Sequence, residues 1–492
     1  MSDEREKPGA VTLPSRRRRF WRRLLLVVGV AHLVGFVSSL DAMMSSRTSQ
    51  GAVAWIVSLN TLPYVAVPAY WVFGRTKFQG YVSARRDENS VLGQALAEKL
   101  AELRAHGVSD EHADKHLVGV EQLAKLPFLG GNRVELLIDG EQTFESLFAG
   151  IDAAERYLLV QFYIVRADAV GLALQARLIE KARQGVEVFF LYDEIGSYAL
   201  PSHYLQTLEE AGVRVHRFHS TRGTGNRFQL NFRNHRKIMV ADGERAWVGG
   251  FNVGDEYLEG HPRIGPWRDT HLMIEGPAAL ALQLVFLEDW HWATEEIPEL
   301  PWSPLIPSGH GTPVLILPSG PADRFETASL MIQQAIHAAQ ERIWISSPYF
   351  VPDEGVLAML KLASLSGVEV KILIPERPDN LLTYFAAYAF LDSLLEAGVE
   401  VYRYEGGFLH GKAFLVDEIG AAVGTVNLDN RSFRLNFEVT AMVMDADFAA
   451  EVDAMFKADF ARARQMQPEE ISDKPLWHRV AARAAYLFAP VL

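Results

Sequence analysis

The chain has 492 residues, 49% of them apolar, and a net charge of −13. That length allows two or three domains around a large core. The absence of cysteine excludes disulfides, thiolate metal sites and a cysteine nucleophile, and an acidic chain must meet any anionic substrate with locally placed cations.

Residues 1–23 form a basic amino terminus. Residues 1–15 are polar, contain two prolines and are expected to be disordered. Arg16 to Arg19, Arg22 and Arg23 flank Phe20 and Trp21. An apolar run follows over 24–40, interrupted by His32 and small polar residues. As a helix it rises about 25 Å, enough for a bilayer core with interfacial anchors. Polar residues 41–50 separate it from a second run, 51–73, which rises about 34 Å as a helix. Pro63 and Pro68 would break a soluble helix, but helices in a bilayer accommodate proline. The first run also fits a cleaved signal peptide with an arginine-rich front. A retained transmembrane hairpin over 24–73 is favoured, because no small-x-small cleavage site follows and a second apolar run comes at once. Positive charge sets its orientation. Arg16 to Arg23 precede it, Arg75, Lys77, Arg85 and Arg86 follow it, and the loop carries only Arg47. Both ends, and everything downstream, are therefore expected in the cytoplasm at the cell (inner) membrane. His32 reads as a histidine satisfied by a neighbouring helix rather than as a functional group.

Residues 74–130 are charged and read as a helical connector at the membrane surface. His112 and His116, four apart, read there as a solvated helix face, since no third ligand accompanies them. Two similar lobes follow, 131–296 and 313–470, joined by a linker, 297–312, with four prolines. Short matches run through both lobes: 153–158 with 339–344, 185–188 with 367–370, and 210–213 with 396–399. Each lobe reads strand, helix, strand, helix, strand and then a motif strand. Near-continuous apolar strands such as 186–192 and 368–374 imply a sheet covered by helices on both faces. The fold class is α/β: two pseudo-twofold-related α/β/α sandwich lobes, preceded by the two-helix transmembrane hairpin. Residues 381–395 read as a core helix. The loop 220–233, with Arg222, Arg227 and Arg233, stands evenly between a solvated loop and a cationic collar for a headgroup. Residues 471–492, with Trp477, Arg479, Arg483 and Leu487, read as an amphipathic interfacial tail or a packed terminal helix.

One pattern occurs twice. His235-Arg236-Lys237, four residues and Asp242 are followed by Gly249-Gly250-Phe251-Asn252; His410-Gly411-Lys412, four residues and Asp417 are followed by Gly424-Thr425-Val426-Asn427. Every matched position is offset by 175 residues. On a strand, residues two apart share a face, so each His and Lys point together. A neutral imidazole attacks phosphorus, and a protonated one hands its proton to a leaving alkoxide. A lysine beside it offsets phosphate charge. Two copies facing each other place two imidazoles, two ammonium groups and the Asn252 and Asn427 amides around one phosphoryl group. Asp242 and Asp417, at the strand ends, either belong to this catalytic set or hold the local turn.

These paired motifs resemble the HxK(x)4D signature of the phospholipase D superfamily. Gly249-Gly250-Phe251-Asn252-Val253-Gly254-Asp255-Glu256-Tyr257, Trp267-Arg268-Asp269-Thr270, Ser347-Pro348-Tyr349-Phe350-Val351-Pro352 and Asn427-Leu428-Asp429-Asn430-Arg431-Ser432-Phe433 resemble its bacterial cardiolipin synthase branch. The resemblance covers nearly the whole chain. It implies a further carboxylate facing each histidine, at Asp269 and Glu438. Thr425 stands where the family usually has serine, and the hydroxyl survives. The implied reaction is phosphatidyl transfer between two phosphatidylglycerol molecules, giving cardiolipin and glycerol through a phosphohistidine. His235 would be the nucleophile and His410 the acid and base, with Lys237, Lys412, Asn252 and Asn427 stabilising five-coordinate phosphorus. It implies no metal or organic cofactor and no nucleic-acid partner, and leaves a homodimer open. The same residues would also serve a membrane-bound phospholipase D that hydrolyses or transphosphatidylates other phospholipids. A nuclease is disfavoured by the acidic balance and the apolar hairpin, and a non-catalytic scaffold by two intact motifs.

Overall fold

The computed structural model describes residues 15–46, 48–74, 91–108, 115–218, 231–309 and 311–492. Arg47, the cations at 75–86, His112 and the arginine loop up to residue 230 lie outside them, as does the His116 side chain. Two compact units are distinguished: 1–77 with 227–231, and 78–226 with 232–492.

In the amino-terminal unit, helix Ser15–Ser45 runs 31 residues, well beyond the expected 24–40. Over Arg19–Ser45 it is the one helix among the described residues long and apolar enough to cross a membrane. The second apolar run is not the continuous helix expected over 51–73. It forms helix Ser49–Thr61, a break at Leu62, helix Pro63–Ala69 and a π turn over Tyr70–Gly74. The cause is Pro63, whose ring disfavours helical geometry in the preceding residue. Leu62 accordingly adopts φ −130° and ψ 55°, and Pro63 opens a new helix at its first turn. Pro68 stays inside that second helix. The two legs pack closely where Gly35 meets Leu59; a Cβ on Gly35 would lie 2.2 Å from the Leu59 carbonyl oxygen. Polar groups also tie the legs: Asn60 Nδ2 donates to Ser39 Oγ (2.6 Å), and Tyr70 OH to Asp41 Oδ2 (2.8 Å). His32 hydrogen-bonds within its own helix, at the Val28 carbonyl (2.9 Å), with its ring edge-on to Tyr64.

The second unit is built on one sixteen-stranded mixed sheet. From the middle outwards, one half runs Leu129–Ile138, Thr270–Glu275, Arg245–Gly249, Ile238–Ala241, Tyr157–Phe162, Glu187–Asp193 and Arg214–Phe218. The other half runs Thr312–Ser319, Asn436–Val443, Gly420–Gly424, Ala413–Val416, Arg342–Ser346, Glu369–Pro375 and Glu400–Tyr404, with Ala463–Gln465 added at its edge. The halves repeat one strand order about the central antiparallel pair of Leu129–Ile138 with Thr312–Ser319. The lobes are thus joined through a single sheet rather than as separate sandwiches. In both halves the three strands beyond the motif strand are parallel and the inner ones antiparallel, and the added edge strand Ala463–Gln465 is antiparallel.

Helices return the chain between parallel strands, as such connections require. Ala169–Arg183 and Glu354–Leu365 do so at equivalent places, and both end at a left-handed glycine, Gly185 (φ 92°) and Gly367 (φ 97°). Helix Pro277–Thr294 is buried from Pro277 to Trp290 and packs beneath the central strands of both halves. Its polar residues Gln283, Glu288 and Asp289 are buried with it. A charge in that position needs a partner, and the partner comes from the site.

Candidate active site

The motif strands Ile238–Ala241 and Ala413–Val416 are wholly or almost wholly buried, and each carries the histidine at one end and the aspartate at the other. The two aspartates take the same geometry. Asp242 (φ 57°) accepts backbone N–H groups from Glu155, Arg156 and Tyr157 at 2.7–2.9 Å. Asp417 (φ 50°) accepts those of Gln340, Glu341 and Arg342 at 2.8–2.9 Å. Their carboxylates fasten the neighbouring strand's start, on the far side of the motif from the imidazoles. Of the two openings left by the sequence, these contacts match the turn-holding one.

The lobes exchange strands around the histidines. Arg233–Asn234 pairs in parallel with Asn436–Phe437, and His235 N donates to the Phe437 carbonyl at 2.9 Å. Phe408–Leu409 pairs with Trp267–Arg268, and His410 N donates to the Arg268 carbonyl at 2.7 Å. Each histidine therefore lies beside the other lobe's carboxylate. His235 Nδ1 is 2.8 Å from Glu438 Oε2, and His410 Nδ1 is 2.5 Å from Asp269 Oδ2. Both carboxylates are fully buried. Glu438 Oε1 accepts from Ser432 Oγ (2.9 Å) and Asn436 Nδ2 (3.0 Å), while Asp269 Oδ1 accepts the Thr270 N–H (2.7 Å). Gly250 makes room for the second pair, since a Cβ there would lie 2.0 Å from Asp269 Oδ1. With Nδ1 held by a carboxylate, Nε2 is the nitrogen left for chemistry.

Aromatic rings set the imidazole planes. Tyr163 stands edge-on to His235 at 4.9 Å between centroids, and Trp267 lies against His410 at 5.0 Å. Lys237 and Lys412 each donate to the backbone carbonyl of their own histidine. Asn252 donates from Nδ2 to Tyr257 OH (3.2 Å) and accepts the Ile164 N–H (3.1 Å), and Asn427 Oδ1 is buried without a hydrogen-bond partner.

Burial dominates the electrostatics. It pushes His235 down to about 4 and His410 to about 3, against the pull of Glu438 and Asp269. His235 feels the charge of Lys412, as His410 feels that of Lys237, so the two halves share one field. Burial lowers Lys412 to about 8 and holds Lys237 well below the usual lysine range. Burial opposes the Glu438 and Asp269 charges too, but the facing histidines and lysines outweigh it and keep both carboxyls below their ordinary values. The site is thus two neutral imidazoles, each on an ionised carboxylate, with two buried lysines whose charged form burial disfavours. No group of three or more metal-ligating side chains is arranged to hold a metal among the described residues.

The chain matches a family model described as "Cardiolipin synthase, PLD-like domain" over residues 147–263 and 332–460. It is 47% identical over 471 residues to cardiolipin synthase A of Pseudomonas putida (strain W619), covering 95% of this chain and 98% of the relative. It belongs to the cardiolipin synthase family. A second relative, cardiolipin synthase A of Pseudomonas aeruginosa (strain LESB58), is 48% identical over 474 residues, 95% of this chain and 96% of the relative. The fold resembles that of phosphatidylserine synthase from Haemophilus influenzae Rd KW20, with a TM-score of 0.59 and 16% identity over 77% of this chain and all of that one.

In this cardiolipin synthase family member, the sequence motifs left several neighbours of the site unseen. Arg236, between the motif His and Lys, is fully buried and pairs with Asp289 at 2.7 Å. Asp289 also accepts from Gln161 (2.7 Å) and Asn234 (2.8 Å), so the central helix anchors the loop that carries His235. Asp193 accepts the Asn234 N–H at 2.8 Å from the strand beyond. The second motif has Gly411 where the first has Arg236, so the scaffold beneath the two histidines is asymmetric. Arg236 stands just before a buried apolar strand, and a buried charge there needs an acid elsewhere. Tyr163 and Tyr257 carried no such signal.

Proposed function

We propose that the chain is a cardiolipin synthase that joins two phosphatidylglycerol molecules into cardiolipin and glycerol. The observation that carries this reading is the crossed pair of imidazole–carboxylate couples around two buried lysines, in a member of this family. His235 is assigned as nucleophile by the family resemblance. Its Nε2, neutral at pH 7, attacks the phosphate of the first phosphatidylglycerol. The bond from phosphorus to the glycerol oxygen breaks, and His410 gives that oxygen a proton. The products of this step are glycerol and a phosphatidyl group on His235. His410 then takes the proton from a glycerol hydroxyl of the second phosphatidylglycerol. That oxygen attacks phosphorus, the P–N bond breaks, and cardiolipin leaves. Binding the phosphate anion favours a proton on His410, which burial alone disfavours.

Lys237 and Lys412 stabilise the charge that develops on the equatorial oxygens, preset before the reaction. Glu438 and Asp269 hold the reactive tautomers and stabilise each imidazolium. Asp242 and Asp417 hold the strands that carry the motifs and do not touch the phosphate. Asn252 and Asn427, the latter with an unsatisfied buried amide oxygen, are assigned to the non-bridging phosphate oxygens.

The amino-terminal hairpin anchors the enzyme in the cell membrane, its second leg entering as a broken helix. The arginines before it and the cations after it leave the catalytic unit in the cytoplasm. A tethered enzyme then meets two-tailed substrates within their own surface.

The test is purified protein with isotopically labelled phosphatidylglycerol, products resolved by mass. Cardiolipin and free glycerol in equal amounts are expected. Phosphatidate as the main product would make the protein a hydrolase, and full turnover by His235→Ala would refute the reading.

A further inference from the structure

Helix Leu476–Tyr486 has two apolar faces. At 100° per residue, His478, Ala482 and Ala485 fall on one side, are buried, and pack on helix Leu381–Glu396. Leu476, Trp477, Val480 and Leu487 fall on the other side and are 74, 64, 58 and 77% exposed. Arg479 and Arg483 lie along one flank between them. A helix at a water-facing surface has one apolar face. A second one, carrying a tryptophan and edged by arginine, is the pattern of a helix lying in a lipid headgroup layer.

The patch continues beyond this helix. Trp477 packs edge-on against Phe385, with 6.3 Å between ring centroids, and one turn earlier Leu381 is 65% exposed. A groove of about 630 Å³ runs between the two helices, lined by Lys474, His478, Arg479 and Arg483 with one carboxylate, Asp392. These cations cluster on a chain whose net charge is −13, so the patch has the sign that an anionic surface attracts. It also adjoins the site. Asp379, exposed and two residues before Leu381, accepts from Tyr349 OH at 2.6 Å, and the charge of Lys412 reaches it.

We propose that this face is a second membrane contact. Helix Leu476–Tyr486 and the start of helix Leu381–Glu396 lie in the headgroup layer of an anionic bilayer, with Lys474, Arg479 and Arg483 on lipid phosphates. The rim of the active site is thereby held at the surface from which lipid enters. The inference rests on the reading of the site as one that takes bilayer lipid.

The chain has no cysteine, so single labels are unambiguous. Val480→Cys and Leu487→Cys carry a fluorophore in the full-length protein. Glu210→Cys is the control, exposed beside the outermost strand of the opposite half. Each is placed in nanodiscs of about 70% phosphatidylethanolamine and 30% phosphatidylglycerol bearing acyl-chain nitroxides. We expect quenching of about threefold or more at 480 and 487, none at 210, and loss of most of it when phosphatidylcholine replaces phosphatidylglycerol. Unquenched labels at 480 and 487 would overturn the proposal, as would quenching indifferent to lipid charge. Energy transfer between labels on different molecules, without lipid quenching, would make a second copy the occupant and also overturn it. Quenched labels in a protein that forms no cardiolipin would refute the function and leave the contact standing.

Discussion

Replacing Glu438 by Gln removes the charge that faces His235 at 2.8 Å and keeps the volume. A hydrogen bond to a charged group contributes about 1.5–3 kcal/mol, which at 1.36 kcal/mol per tenfold is a loss of about 10- to 150-fold. The amide also offers Nδ1 an N–H where an acceptor is needed, and the wrong tautomer costs about 10⁴-fold in the Ser-His-Asp triad. The expected loss in kcat therefore lies between these values, with KM little changed. The assay that isolates the step uses a phosphatidyl substrate with p-nitrophenol as leaving group, which departs without a proton donor. Its burst reports attack on phosphorus alone. Glu438→Gln should slow the burst by the full factor. Asp269→Asn, which disarms His410 instead, should leave the burst rate within about threefold and slow the later transfer to a lipid hydroxyl. Equal slowing of the burst by both variants would refute the crossed assignment of carboxylates.

Asp417→Ala orphans three backbone N–H groups. It should lower unfolding free energy by about 2–4 kcal/mol while the folded fraction keeps its specific activity; lost activity with unchanged Tm would return Asp417 to the catalytic set. Arg236→Met removes the 2.7 Å ion pair to buried Asp289, and denaturant unfolding should show a loss of about 3–5 kcal/mol. Lys412, lowered to about 8 by burial, carries its charge below that pH and loses it above. The alkaline limb of kcat/KM should therefore fall near pH 8, and that of kcat at higher pH, because bound phosphate favours the ammonium; a flat profile to pH 10 would contradict the role given to Lys412.

The motifs and the repeat were legible because local spacing carries them, and the carboxylates at Asp269 and Glu438 were implied by the family resemblance alone. The exchange between lobes was not. Nothing near His235 in the sequence names Glu438, which lies 203 residues away, and the pairing follows only from strands that meet across the middle of the sheet. The repeat also hides a slip. Glu155 matches Glu341 by sequence, yet the amides held by Asp242 and Asp417 align Glu155 with Gln340. The second apolar run read as one helix because helices in a bilayer accommodate proline, but Pro63 forces Leu62 out of helical geometry whereas Pro68, one turn inside the next helix, does not. Arg236 carried no assigned role in the motif, and its partner in the central helix, Asp289, was set by burial rather than by pattern.

Stereochemistry at phosphorus tests the convergence of both imidazoles most directly. A phosphatidylglycerol made chiral with sulfur and heavy oxygen is converted by the purified protein, and the configuration of the thiophosphate in the cardiolipin product is read by phosphorus NMR. Two successive in-line displacements, on and off His235, give retention. Inversion would mean that the second lipid attacks the first directly, with neither histidine bonded to phosphorus.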